Sequence, residues 1–185
     1  SYPGMISEEI WKIVKENLDI TQGKLIIGLN APNTNKMAVS LFNTVLGGGA
    51  NSKLFQNVRE KESLAYSASS SYIRRQNTIL IKTGIEIANY EKTLNIIKKQ
   101  LEEMKNGNIS DEEFDAAKEL LISSISLIPE SAEDMIAFYF DQSLFEENLT
   151  VQDYIMKLKN ITKEQIIEIA KQVTMDTIYF LKRED

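Results

Sequence analysis

Any chemistry in this chain has to come from carboxylates, basic side chains, tyrosines and backbone, because its 185 residues include neither histidine nor cysteine. That removes the commonest zinc ligands and the usual general base together, and it leaves no thiol chemistry. A chain of this composition cannot build a conventional zinc site by itself. Glu60 with Glu62, and Glu112 with Glu113, have the residue type for acid–base work. Glu112 and Glu113 belong to the first turn of a predicted helix, where acids favour the macrodipole. Neither pair has an accompanying metal ligand, and both are assigned to solvated faces. The consecutive glycines Gly47, Gly48 and Gly49 lie between two predicted helices. Exposed N–H groups opening the second helix could bind an anion or a carbonyl. The alternative is a helix stop combined with a close backbone crossing. The loop is not of the GxxxxGK[ST] phosphate-binding type, since Ser52-Lys53 stand in the wrong order with no glycine before the lysine. Arg59 and Tyr66 are separated by a predicted helix end, so helix geometry alone does not bring them together. On residue type they read as a surface ion pair with an acid such as Glu62 and an ordinary strand aromatic.

The elements that carry these residues follow from periodicity. Residues 13–20 alternate imperfectly and are expected to form an extended edge segment. The apolar, β-branched run over residues 24–30, entered from Gly23 and followed by turn residues, predicts a central strand. Ala38, Leu41, Phe42, Val45 and Leu46 trace one face of a helix over 36–46, which the glycines are expected to stop by adopting positive φ. Asn51 or Ser52 can cap a second helix running to about Glu62. Two strands follow, Leu64–Arg75 and Thr78–Ile87, as a hairpin turning through Arg75-Gln76-Asn77. Helices are predicted over 90–105, from the capping box Ser110…Glu113 to near Pro129, and over 131–145, 151–159 and 162–173. A last strand covers Thr177–Leu181. Strands early and late with helices between them predict an α+β domain, a mostly antiparallel sheet covered on one face by several helices.

Three motifs in this order carry a family resemblance: Leu-Gly-Gly-Gly at 46–49, Ser-Lys-Leu-Phe at 52–55, and Val-Arg-Glu-Lys-x-x-Leu-Ala-Tyr at 58–66. The series resembles the second, non-metal-binding type of domain in the pitrilysin/insulinase family of zinc metallopeptidases, the inverzincins. The resemblance implies an insulinase/LuxS-like metalloenzyme half-domain over residues 1–185. It further implies a peptidase assembled from two halves around a chamber, one half bearing the HxxEH zinc motif. In that scheme Tyr66 donates its hydroxyl to the developing oxyanion, Arg59 holds a backbone carbonyl of the peptide, and Gly47–Gly49 face the substrate. Zinc would belong to the partner half and none to this chain, which alone is expected to bind no zinc and cleave nothing. The alternative in the same fold is a catalytically inactive structural or assembly domain. A nucleotide- or anion-binding module built on the glycine loop is a third reading.

Composition narrows the remaining classes. The 43% hydrophobic and 26% charged residues are those of a globular domain of normal size. No apolar run approaches the ~18 residues of a membrane-spanning helix, so no membrane partner is expected. A net charge of −6 argues against a general nucleic-acid binder. Residues 51–82 nevertheless hold six basic side chains against Glu60 and Glu62, which is +4 in a chain of −6. That segment is a candidate face for a peptide or an acidic partner. The chain starts Ser1-Tyr2-Pro3-Gly4 without an initiator methionine and is read as a piece of a longer polypeptide. Its compartment is left open, with the cytoplasm favoured.

Overall fold

A computed structural model of the chain describes residues 12–17 and 23–182. Five strands form one sheet in the order β1-β5-β2-β4-β3. They are β1 (Lys12–Asn17), β2 (Gly23–Asn30), β3 (Ala65–Ile73), β4 (Thr78–Ile85) and β5 (Thr174–Lys182). All neighbours are antiparallel except β1 and β5, which run parallel. The edge segment expected at 13–20 is therefore β1 over its first part, and its remainder lies outside the described residues.

Side chains alternate across the sheet with a period of two. Leu25, Ile27 and Leu29 of β2, Ile79, Ile81 and Ile85 of β4, and Ile178 and Phe180 of β5 are buried together. Helix α1 (Lys36–Gly47) lays Ala38, Leu41, Phe42, Val45 and Leu46 into the same core. Each of the Val, Leu, Ile and Phe side chains, fully buried, favours the folded state by ~1.5–3 kcal/mol. Helices α2 (Tyr90–Lys105), α3 (Asp111–Ser126), α5 (Val151–Lys159) and α6 (Lys163–Gln172) complete the layer, and α4 (Ala132–Leu144) lies towards its margin.

The helix starts are written locally. Asn35 caps α1 from a left-handed conformation (φ 43°), its side chain accepting from the Ala38 N–H. The Ser110/Glu113 and Thr162/Gln165 capping boxes form as their spacing predicts. A third box, Thr150 with Asp153, opens α5. The hairpin closes through a 3₁₀ turn at Arg74–Gln76, with Asn77 left-handed at φ 49°.

The helix expected after the glycines forms and ends at Lys61 with Glu62 as its C-cap, and over Phe55–Lys61 it is a π-helix. One expectation is corrected: the glycines end α1 without positive φ. Gly48 is right-handed at −84°, and among the described glycines Gly107 is the one with positive φ. Close packing is what requires them. A Cβ on buried Gly47 would lie 2.6 Å from both the backbone N and the Oγ of Ser70 on β3, and 2.9 Å from a Leu54 methyl.

Candidate functional site

The glycine triplet, the π-helix and β3 are consecutive in sequence and mutually packed, which concentrates the predicted site residues at one margin of the sheet. Helix α1 reaches β3 at Gly47, where only a residue without a side chain allows the crossing. The chain turns through Gly48 and Gly49, and Ser52 Oγ accepts from the Phe55 N–H at 3.3 Å to start the next helix. Ser52 N–H donates to Gly49 O and Gln56 N–H to Ser52 O. Of the N–H groups expected to be available to an anion, those of Ser52, Phe55 and Gln56 are thus already satisfied. Lys53 is buried, donating to Asn108 O at 2.7 Å and pairing with Glu113 at 3.0 Å. The one lysine beside the loop is turned away into the α3 start, which removes the support for a nucleotide-binding module.

Glu113 is a further correction. Rather than standing on a solvated face, it closes the capping box of α3 and neutralises a buried cation with the same carboxylate. Glu60 and Glu112 are exposed, as expected of solvated faces.

Arg59 rides the π-helix, its side chain 43% exposed, with its guanidinium 4.7 Å from the Phe55 ring centroid and Nη1 3.8 Å from Glu60. The acid beside it is Glu60 rather than Glu62, which instead lies near Lys92. Tyr66 is 51% exposed on β3. The pairing with β4 explains its presentation. Ala65 pairs with Ile85 and Ser67 with Gly84, so Tyr66 is an extra residue in a β-bulge. Bulges re-aim side chains beside functional sites. The Tyr66 hydroxyl hydrogen-bonds to the Glu86 carboxylate just past β4. Arg59 and Tyr66 are therefore on packed neighbouring elements, each with its own partner and without a hydrogen bond to the other. Sequence reasoning missed Glu86, because the bulge that pairs Ala65 with Ile85 and brings Tyr66 to this carboxylate leaves no local signal.

The basic segment 51–82 does not act as one face. Lys53 is consumed by Glu113, and Arg74 pairs with Asp141 at 3.0 Å and Glu147 at 3.3 Å. Arg74 belongs to a polar cluster under the hairpin tip, where Lys36 donates to Asn77 Oδ1 at 2.6 Å and faces the Phe145 ring. Burial, with Arg74 nearby, pushes the Lys36 pKa down. Burial pushes Tyr72 up to about 12 and raises Tyr154 as well. An open cavity of about 730 Å³ borders this cluster, whose Lys36 and Arg74 are already bonded to protein acceptors.

No group of three or more carboxylates among the described residues is placed to hold a metal ion, and the chain lacks histidine and cysteine. These residues do not fit zinc.

The description of the peptidase M16 inactive domain matches residues 4–121. The chain belongs to this family. Similar proteins extend the match beyond those residues. This M16 inactive domain is 34% identical over 175 residues to the "Probable inactive metalloprotease YmfF" of Bacillus subtilis, covering 92% of this chain and 41% of the relative. It is 26% identical over 149 residues to the "Uncharacterized zinc protease SCO5738" of Streptomyces coelicolor, covering 79% and 32%. A crystal structure of a conserved protein from Enterococcus faecalis V583 superposes with a TM-score of 0.89 at 30% identity, over 95% of this chain and 43% of that one. The chain thus spans less than half the length of each of these relatives. The M16 inactive-domain assignment agrees with the resemblance carried by the motifs at 46–49, 52–55 and 58–66.

Proposed function

We propose that this M16 inactive domain lines the substrate chamber of a zinc peptidase and lends Arg59 and Tyr66 to a site whose zinc is held by a homologous partner half. The observation that carries the reading is the bulge at Tyr66, which presents a phenol on an edge strand beside the helix bearing Arg59. In this role Tyr66 donates its hydroxyl to the carbonyl oxygen of a bound peptide as negative charge develops there. Glu86, now holding that hydroxyl, is the contact that substrate would replace. Arg59 would hold a backbone carbonyl of the bound peptide, and Gly47–Gly49 would bound the channel. Preorganised donors of this kind contribute on the order of 3 kcal/mol each to barrier lowering. Strand β3 is the last in the strand order and exposes Ser67, Ser69 and Ser71 on one face, which supports an extended peptide running past it.

A second reading, an inactive structural domain of the same fold, is favoured by the name of the 34% identical relative, a probable inactive metalloprotease. One experiment separates them. The full-length parent protein is mixed with its zinc-bearing half, and peptide hydrolysis is compared for wild type, Tyr66→Phe and Arg59→Ala. The proposal expects at least tenfold lower turnover in each variant with assembly intact by light scattering. Equal turnover removes both residues from the site. A wild-type mixture inert towards a broad peptide library makes the structural reading the better one.

A further inference from the structure

Helix α4 is apolar on two sides. Its inward side packs Met135 and Phe138 against the core, Phe138 edge-on to the Tyr154 ring, and carries Gln142, the one buried residue of the helix. Asp141 is tied to Arg74. Its outward side carries Ile136, Tyr139, Phe140 and Leu144, which are 71%, 43%, 53% and 48% exposed. Spacings of three and four put these four on a single stripe. With about 200 Å² per large side chain, the open stripe amounts to roughly 400 Å², the size of the largest apolar patch on an ordinary monomer, which is often functional. A helix apolar on both sides is one that is covered on both sides.

We propose that the outward face of α4 docks onto the rest of the parent polypeptide, against an apolar surface rimmed by lysine or arginine. Two observations choose this occupant. The relatives that match nearly the whole chain devote less than half of their own length to it, 41% and 43%, so a large covalently linked neighbour accompanies this domain in them. The rim is acidic: Glu130, Glu133 and Asp134 lie exposed at the start of α4 and Glu146 just beyond its end. A second copy packed antiparallel would set those carboxylates against each other, whereas cations on a different partner complement them. Arg75, 5.2 Å from the Phe140 ring centroid, supplies a local example of how a cation seats at this face.

The proposal shares with the proposed function the idea of a longer parent protein, but its test needs no catalysis. Because the chain has no cysteine, Ile136→Cys gives a single thiol reporter on an exposed side chain. Its rate of maleimide labelling is compared in the 185-residue chain and in the full-length parent with its other cysteines replaced. Lys99→Cys, exposed on α2, serves as the control. The expected result is at least tenfold slower labelling at 136 in the parent, with the control unchanged. Equal rates at 136 in both proteins overturn the proposal. Concentration-dependent protection in the isolated chain, with a dimer by sedimentation, also overturns it and makes a second copy the occupant. Tyr66→Phe without kinetic effect leaves this result untouched, so the two proposals fail separately.

Discussion

Replacing Gly47 by alanine is the sharpest probe of how this fold positions its site. The residue is helical and has no positive φ, so alanine meets no backbone strain and gains ~0.5–1 kcal/mol of helix propensity. Against that, the new methyl would lie 2.6 Å from Ser70 N, a main-chain atom that cannot rotate away, and 2.9 Å from Leu54. Overpacking of this kind costs ~1–3 kcal/mol, and the upper part of that range applies because backbone must move. The expected net loss is about 1–2 kcal/mol. Urea denaturation gives the magnitude, and amide hydrogen exchange gives its location, with protection falling in β3 before α2. The same displacement acts on the strand that carries Tyr66, so peptide turnover by the assembled protein should fall with it. A Gly47→Ala protein as stable as wild type would refute the close crossing. Preferential loss at the end of α1, with β3 unchanged, would return the glycine to a helix-stopping role.

Lys53 and Glu113 give two further outcomes. Lys53→Ala strands a partly buried carboxylate and the Asn108 carbonyl and should cost ~2–3 kcal/mol, and Glu113→Gln, which keeps an acceptor for the cap but leaves the buried Lys53 charge without its counter-ion, should cost ~3 kcal/mol, both read by chemical denaturation. Tyr72 has a buried hydroxyl without a hydrogen-bond partner and a pKa raised from 10.0 to about 12. The unfolded chain therefore loses this proton first, and its share of stability is intact below pH 10 and lost as pH rises through 12. Tyr72→Phe should be neutral or slightly stabilising at pH 8 and should flatten the alkaline limb of a stability–pH curve; an unchanged limb would count against the burial argument.

Much of this architecture was legible because its signals are local. The apolar face of α1, the Ser110 and Thr162 caps and the 75–77 turn each depend on residues within one or two helical turns. The Thr150 box escaped notice because an aspartate stands where glutamate or glutamine is the stronger signal. The π-helix was not legible for a different reason: Leu54, Phe55 and Val58 are spaced alike for either helix, and the register is settled by what β3 and α2 leave room for. Glu113 was misread because its partner, Lys53, is sixty residues away in sequence. For the candidate site, the motifs identified the residues, but the bulge that exposes Tyr66 and the carboxylate that holds it emerge only once β3 and β4 are in register.

The place of β5 in the sheet has a consequence for synthesis. This strand, Thr174–Lys182, inserts between β1 and β2, although those two are neighbours in the chain. While the ribosome is still making the helices, β2, β4 and β3 can assemble over α1, but β2 has an open edge and β1 has no place to join. The nascent domain therefore holds an unfilled slot until its last strand emerges, which exposes a sticky apolar edge to other chains in a crowded cell. Chaperone dependence should peak with ribosome-stalled chains ending before residue 174 and drop once residue 182 clears the exit tunnel.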